Sequence, residues 1–168
     1  MAKDADKIYI VGFMGAGKST VARALGKRLG WQAVDIDELI EGRERMTVAD
    51  IFKRHGEPYF RAAERAVLHE QLKPRQLVVA TGGGTFADPD NRAVINADGV
   101  SIWIDAPLER IIARVPSDGR RPLAADRPAF ERLYHQRREA YQLANCRIDA
   151  ARGGVDAVVE QILHWLRA

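Results

Sequence analysis

Short apolar runs alternate with helical patterns along most of the chain. The apolar runs predict strands at 7–11, 32–36, 76–81, 100–105 and 146–149. Between them, apolar residues spaced three and four apart predict helices at 18–29, 47–54, 57–72, 90–97, 107–114, 128–144 and 154–167. This order of elements indicates a strand-and-helix protein rather than a bundle or an all-strand sandwich.

Several of the predicted helices are preceded by start signals. Thr47 and Asp50 have the spacing of a capping box, in which side chains satisfy the first backbone N–H groups of a helix. Pro89 and Pro107 stand where proline is tolerated, at the opening of a helix. These signals support the boundaries drawn from the apolar pattern.

Alternating strands and helices favour the α/β class, with a three-layer α/β/α architecture around a central five-stranded parallel sheet. No internal repeat or shift in composition divides residues 1–168, so we expect one domain. Ligands of such sheets usually bind at the carboxyl ends of the strands. The chemistry is therefore expected just after residues 11, 34, 81 and 105.

Composition and charge narrow the function classes. The 168 residues include 26 Lys and Arg against 23 Asp and Glu, a formal charge of +3. The basic residues are mostly scattered arginines, which suit small anionic ligands better than nucleic acid. No apolar run approaches membrane-spanning length, and the single Cys146 cannot form an internal disulfide. We therefore expect a cytoplasmic protein without a membrane or nucleic-acid partner.

The segment GFMGAGKS, residues 12–19, matches the phosphate-binding loop pattern between a strand and a helix. Its glycines allow successive amide N–H groups to point at one anion, and the next helix adds its positive end. Lys18 would reach the terminal phosphates, and the Ser19 hydroxyl would be a magnesium ligand. The pattern predicts a nucleoside triphosphate with Mg²⁺.

Two carboxylates, Asp35 and Asp37, follow the second predicted strand. Residues two apart on an extended chain face the same side, so both could line one site. A helix start at Asp37 is the alternative, because acidic residues favour a helix N-terminus. The third strand ends at Ala80-Thr81 without an acidic residue, which makes Asp35 the better magnesium candidate.

Two further segments carry candidate chemistry. Arg61 and Glu64 lie three apart on a predicted helix, hence on one face, where a solvated ion pair is the alternative. Three consecutive glycines, 82–84, follow the third strand between two threonines. They would bring bare backbone close to a ligand, unless the segment is simply a flexible loop.

The arginine-rich segment 115–128 also contains three prolines and reads as an ordered, movable lid or as a surface loop. A lid would carry an arginine onto the transferring phosphate. Arg120 and Arg121 are both candidates. On the next predicted helix, Arg137 and Arg138 are adjacent, and such a pair is usually a solvated face.

Together, GFMGAGKST, DID, FRAAE, TGGG, RPL and RREAY resemble the shikimate kinase family in order and spacing over essentially the whole chain. The resemblance implies a P-loop kinase fold of the nucleoside monophosphate kinase type. It also implies a substrate-binding helical region at about 36–65 and a lid at about 115–127. The implied reaction moves the γ-phosphate of ATP to the 3-hydroxyl of shikimate, with one Mg²⁺ per subunit, in a monomer.

The resemblance also implies a role for individual residues. The phosphate loop would bind ATP through Gly15, Ala16, Gly17, Lys18, Ser19 and Thr20, with Arg114 against adenine and Arg121 as the lid arginine. Lys18, Asp37 and Arg121 would be catalytic, and Ser19 and Asp35 would hold the metal. Shikimate would meet Asp37, Phe52, Phe60, Arg61, Glu64, Gly82, Gly83, Gly84 and Arg137. Arg121 is preferred to Arg120 because Pro122 follows it, and Arg137 to Arg138 because it precedes Tyr141 by four residues as in the family.

Two other functions remain compatible with the motifs. One is a related kinase acting on gluconate or a nucleoside monophosphate, although a neutral sugar has little use for two arginines. The other is a nucleotide-binding module that has lost phosphoryl transfer.

Several conspicuous residues are assigned to surface or packing roles instead. The four histidines lack metal-ligand spacing: His55, His69, His135 and His164. We also predict packing roles for Cys146, Trp31, Trp103 and Trp165.

Overall fold

The computed structural model describes residues 4–114 and 126–168. The elements in these ranges are β1 (Lys7–Val11), α1 (Lys18–Leu29), β2 (Gln32–Asp35), α2 (Ile36–Glu44), α3 (Val48–Glu70), β3 (Leu77–Ala80), α4 (Pro89–Asp98), β4 (Val100–Asp105), α5 (Leu108–Arg114), α6 (Arg127–Tyr141), β5 (Cys146–Asp149) and α7 (Val155–Arg167). All five predicted strands are present, each within one residue of its expected bounds or closer. The α/β class is confirmed.

The five strands form one parallel sheet in the order β2-β3-β1-β4-β5. In the central strand, Ile8 lies opposite Val78 of β3 and Val100 of β4. Every residue of β1 is buried, as expected for a strand covered on both faces. The order matters for function, because β1 and β3 are neighbours whose outgoing connections run in opposite directions.

Helices cover both faces of the sheet. Along the sheet, the connection from β1 to β2 runs in one direction, whereas those from β3 to β4 and from β4 to β5 run in the other. Right-handed crossovers therefore place α1 on one face of the sheet and α4, α5 and α6 on the opposite face. Helix α7 packs against α1 and β5. The core is aliphatic and aromatic, and Trp103 and Cys146 belong to it. Trp31 and Trp165 pack against its edge, which confirms the packing assignments.

Helix α2 corrects the sequence prediction. The strand β2 ends at Asp35, which is the N-cap of α2 and accepts a hydrogen bond from the Glu38 backbone N–H at 3.0 Å. Asp37 therefore stands in the first helical turn, and the argument from an extended chain is wrong at this position. The alternative of a helix start is correct, because a capping carboxylate satisfies an otherwise unpaired N–H group.

Two predicted helices, 47–54 and 57–72, merge into α3 with a kink between them. Gly56 has φ 83° and ψ 171°, and Pro58 follows it. A proline cannot continue the hydrogen bonding of the preceding turn, so the helix direction changes there. At the start of α3, the Thr47 hydroxyl accepts from the Asp50 N–H at 3.1 Å, as the capping pattern predicts.

None of the helices in residues 4–114 and 126–168 is long and apolar enough to cross a membrane.

Candidate active site

A cleft of about 280 Å³ opens at the carboxyl ends of β1, β2 and β3. Its walls are formed by Met14, Gly15, Gly17, Lys18, Ser19, Thr20, Asp35, Asp37, Thr81, Gly83 and Arg114. The cleft lies where the connections after β1 and β3 diverge, which is the usual ligand-binding point of an open parallel sheet. Nine of these eleven residues were predicted from the sequence; Met14 and Thr81 were not.

The loop between β1 and α1 forms one wall of the cleft. Gly17 has φ 93° and caps α1, a backbone conformation that side-chain-bearing residues rarely adopt. The Lys18 ammonium is 8% exposed and donates to the carbonyl groups of Gly12 and Phe13, at 2.8 Å each. The lysine therefore folds back over its own loop and holds its charge at the start of α1, where anions bind.

Ser19 and Asp35 meet at the bottom of the cleft. The Ser19 hydroxyl donates to the Asp35 carboxylate, although the two residues are 16 positions apart in the chain. Asp37, in the first turn of α2, also lines the cleft. Two carboxylates and a hydroxyl beside a phosphate-binding loop form an oxygen-rich corner of the kind that Mg²⁺ prefers.

Arg61 is held by a buried carboxylate. Glu64 is completely buried, and its two oxygens lie 3.0 and 3.2 Å from Arg61 Nη1. Arg61 Nε faces the exposed Glu57 at 3.4 Å. Although burial works against the guanidinium charge, these acidic partners raise the pKa of Arg61 above its ordinary value. The ion pair is thus partly buried rather than a solvated surface contact, and it holds the Arg61 guanidinium in place.

The glycine loop, residues 82–84, passes very close to charged side chains. A Cβ atom on Gly82 would lie 2.7 Å from Asp37 Oδ1, and one on Gly84 would lie 2.6 Å from Arg61 Nη2. Beside the intervening Gly83, Arg137 Nη1 would be 3.7 Å from such an atom. Glycine at 82 and 84 therefore allows the Asp37 carboxylate and the Arg61 guanidinium to approach the loop backbone closely, and Arg137 lies in ordinary contact distance beside Gly83.

The glycine loop is ordered by its own carbonyl groups. The carbonyl groups of Gly82 and Gly84 accept from the backbone N–H groups of Thr85 and Ala87 at 3.3 and 3.2 Å. The Gly83 carbonyl accepts from the Tyr141 hydroxyl of α6. Burial raises the pKa of Tyr141 to about 12, so the phenol keeps its proton and this bond at neutral pH. The loop is fixed, which argues against the flexible alternative.

The two adjacent arginines of α6 have different surroundings. Arg138 forms a double ion pair with Asp105, at 2.5 and 3.2 Å, and its guanidinium carbon lies 4.9 Å from the Trp103 ring. The hydrogen bonds and charge of Asp105 raise the pKa of Arg138. Arg137 instead lies beside Gly83 at the cleft. Arg137 is therefore the member of the pair that lies at the cleft.

Three predicted residues lie at the margins of the cleft. Phe52 and Phe60 pack with ring centres 4.7 Å apart, and the Arg61 guanidinium lies 5.3 Å from the Phe60 ring. Phe60 thus packs against the arginine and Phe52 packs against Phe60, and neither is among the residues that form the cleft walls. At the other margin, Arg114 donates to the Gly15 carbonyl at 3.3 Å. Arg120 and Arg121, the two candidates for the lid arginine, lie outside the described residues.

Besides Met14, the sequence analysis left three residues at the site without a role. Thr81 lines the cleft and bonds the Ile10 carbonyl through its hydroxyl at 2.9 Å. Thr85 is completely buried beside Glu64, and Tyr141 holds the glycine loop. The only signal was the position of the two threonines at either end of the glycines.

Comparisons with known proteins agree with this geometry. The family model described as shikimate kinase matches residues 14–167. A shikimate kinase of Persephonella marina is 40% identical over 95% of this chain and 98% of its own length. One of Gloeobacter violaceus is 42% identical over 96% and 92%. The structure of an Acinetobacter baumannii shikimate kinase in complex with shikimate superimposes with a TM-score of 0.91, at 33% identity, covering 98% and 94% of the two chains.

These similarities extend over nearly the whole chain, including the cleft and the helices around it. The chain belongs to the shikimate kinase family of ATP-dependent phosphotransferases.

Proposed function

We propose that the cleft transfers the γ-phosphate of ATP to the 3-hydroxyl of shikimate, giving shikimate 3-phosphate and ADP. One observation carries this proposal. Three consecutive glycines, 82–84, lie against Asp37, Arg137 and Arg61 in turn. Two guanidinium groups suit a carboxylate, and a carboxylate suits a hydroxyl, so the set matches a small hydroxylated acid.

The two ends of the proposed site divide the work. The phosphate-binding loop and Lys18 hold the ATP phosphates, and the Lys18 charge stabilises the charge that develops on the transferring group. Arg61 and Arg137 hold the shikimate carboxylate. The 3-hydroxyl then lies near Asp37, which accepts its hydrogen bond and orients its oxygen toward the γ-phosphorus.

The bond changes in the proposed transfer are few. The hydroxyl oxygen forms a bond to the γ-phosphorus as the bond from that phosphorus to the β,γ-bridging oxygen breaks. The hydroxyl proton leaves along its hydrogen bond to Asp37, and the electron pair of the broken bond stays on ADP. Because the transition state of phosphoryl transfer is loose, orientation by Asp37 suffices without strong base catalysis.

Ser19 and Asp35 are the residues we propose to hold Mg²⁺. Their oxygens already meet at the base of the cleft, which fits a hard cation. In the described residues no group of three or more His, Cys, Asp or Glu side chains is placed to hold a metal ion. Mg²⁺ is usually held by one or two protein oxygens together with phosphates and water. When bound, it neutralises charge on the phosphate oxygens.

We also propose that the chain acts as a cytoplasmic monomer. Its single cysteine, Cys146, is buried in the sheet rather than exposed for an intermolecular disulfide.

The test is ADP release by the purified protein with ATP and Mg²⁺, with and without shikimate. We expect release that saturates with shikimate and is lost in Arg61→Ala. Arg65→Ala is the matched control, because Arg65 lies one turn further along α3, is about half exposed, and forms a long ion pair with Asp88 at 3.9 Å. That variant should retain the wild-type rate.

Other outcomes would contradict the proposal in different ways. Release with gluconate or a nucleoside monophosphate but not with shikimate would refute the acceptor. Binding of ATP without transfer to any acceptor would favour a nucleotide-binding module. Equal loss in Arg61→Ala and Arg65→Ala would remove the special role of Arg61.

A further inference from the structure

A buried hydroxyl links the glycine loop to the arginine that faces it. Thr85 is completely buried, and its Oγ1 accepts from the Gly82 backbone N–H at 2.9 Å. The same hydroxyl donates to Glu64 Oε2 at 2.8 Å. A hydroxyl has one proton to donate and lone pairs to accept with, so both bonds form at once.

Glu64 has no contact with water and depends on its neighbours for hydrogen bonds. Its carboxylate accepts from Thr85 on Oε2 and from Arg61 Nη1 on both oxygens. Buried carboxylates are held in one orientation by such bonds, and the loss of one donor leaves a buried oxygen poorly solvated. The orientation of Glu64 therefore depends on Thr85, and that of Arg61 depends on Glu64.

We propose that Thr85 is a positioning residue for the acceptor substrate. It fixes the Glu64 carboxylate, which in turn aims the Arg61 guanidinium past Gly84 toward the substrate carboxylate. The inference rests on the proposed function, in which Arg61 binds that carboxylate. In this role the Thr85 hydroxyl acts through Glu64 and is not itself a ligand of substrate or nucleotide.

The orientation of the Arg61 guanidinium group is closely constrained by its neighbours. Glu64 bonds Nη1 and Glu57 faces Nε, while the guanidinium group as a whole lies against Gly84. A carboxylate bound in two-point fashion requires the plane of the guanidinium to be fixed. Rotation of Glu64 would tilt this plane, and the affinity for the substrate carboxylate would fall without any change at the nucleotide.

The test compares Thr85→Val with Thr85→Ser. Valine keeps the shape of threonine but removes both hydrogen bonds, so we expect KM for shikimate to rise about tenfold, the cost of one hydrogen bond to a charged group. KM for ATP should change less than about twofold. Serine restores the hydroxyl and should return KM for shikimate to within about threefold of wild type.

Ser101→Ala is the matched control for losing a buried hydroxyl. Ser101 is completely buried at the start of β4, where its hydroxyl bonds Asn96 and Asn145. This variant should lose stability but keep both KM values. If Thr85→Val does not fold, Thr85→Ala removes the same hydroxyl without placing a methyl group against Glu64, and the expectation is unchanged.

The route through Arg61 is tested by combining variants. In an Arg61→Lys background, which keeps the charge but not the planar two-point fork, Thr85→Val should change kcat/KM for shikimate less than about twofold. A further tenfold loss would overturn the inference, because Thr85 would then act independently of Arg61. An unchanged KM for shikimate in Thr85→Val, or an equal rise in KM for ATP, would overturn it as well.

The two proposals fail in distinguishable ways. If wild type transfers no phosphate to shikimate, the proposed function fails and this inference fails with it. If wild type transfers phosphate and Arg61→Ala does not, but Thr85→Val behaves as wild type, only the role of Thr85 is refuted.

Discussion

The two ends of the sheet carry charged residues of the same types, but at one end they are packed against each other and at the other they line an open cleft. At the amino end, Lys7, Tyr9, Arg75 and Asp98 form a cluster that we call the amino-end cluster. Lys7 is completely buried and lies 3.2 Å from Asp98, which also accepts from Tyr9 at 2.6 Å and from Arg75 at 2.7 Å. At the carboxyl end, Lys18, Asp35 and Asp37 line an open cleft.

The difference shows that residue type does not reveal function, whereas placement does. In the amino-end cluster each charge is packed against an opposite one. Although burial works against its charge, the hydrogen bonds from Tyr9, Arg75 and Lys7 lower the pKa of Asp98. In the cleft, the charges surround a space large enough for phosphates. We infer that the amino end stabilises the fold and that the carboxyl end performs the chemistry.

The largest expected effect is on Lys18. Lys18→Met should lower kcat about a thousandfold, because a positive charge that stabilises the transferring phosphoryl group is lost. The protein should remain folded. Lys27→Met is the matched control, since Lys27 is exposed in the last turn of the same helix. Steady-state rates and thermal unfolding of both variants test this expectation, and a Lys18→Met rate above about a tenth of wild type would contradict it.

The next largest effect is on the stability contributed by the amino-end cluster. Asp98→Asn should lower the free energy of unfolding by about 3 kcal/mol, because buried Lys7 loses the charge of its partner. The kcat of the folded variant should stay within about twofold. Asp90→Asn, an exposed site at the start of the same helix, should cost under about 1 kcal/mol. Urea unfolding and kcat of both variants test this expectation. A lower kcat with unchanged stability in Asp98→Asn would show that the amino-end cluster serves the reaction rather than the fold.

The pH dependence of stability gives a second comparison of wild type with Asp98→Asn. Because the pKa of Asp98 is lowered in the folded state, its contribution to stability is complete above its unfolded pKa of about 4. The contribution is lost as pH falls through the lower, folded value. The difference in stability between wild type and Asp98→Asn should therefore be constant from about pH 7 to 5 and shrink below about pH 4. A difference that grows on acidification would show that the sign is wrong.

The smallest expected effect distinguishes the roles of Arg137 and Arg138, the adjacent arginines of α6. Arg137→Ala should lower kcat/KM for shikimate about thirtyfold, the loss of a charged hydrogen bond of about 2 kcal/mol, with little change in stability. Arg138→Ala should instead destabilise the fold by about 2 kcal/mol, since it leaves the buried Asp105 with Arg147 alone. The two variants are controls for each other. Similar kinetic losses in both would show that Arg138 also serves the cleft.

Local patterns predicted most of the fold. The phosphate-binding loop, the strands and the capped helices could be predicted because each depends on neighbouring residues, such as Thr47 with Asp50. From the residues, helix α2 was only the alternative prediction, because its cap, Asp35, has the same residue type that a magnesium ligand requires. The side chain takes part in both the helix and the cleft, and the pattern alone does not separate the two.

The residues of the cleft were predicted better than their supports. Arg61, Glu64 and the glycines share short motifs, so they could be proposed together. Thr85 gave no comparable signal, because a buried hydroxyl is recognised only by what it bonds. Its partner Glu64 lies 21 positions earlier in the chain.

The sequence by itself determined the parallel sheet, the phosphate-binding loop at 12–19 and the family of the chain, because these depend on local spacing and composition. Only the tertiary structure decided which arginine of α6 faces the cleft, since Asp105 of β4 engages Arg138. It alone paired buried Lys7 with Asp98, which lies 91 positions away. Charges buried by folding require partners that the chain brings together only through its topology, so their roles are set by packing.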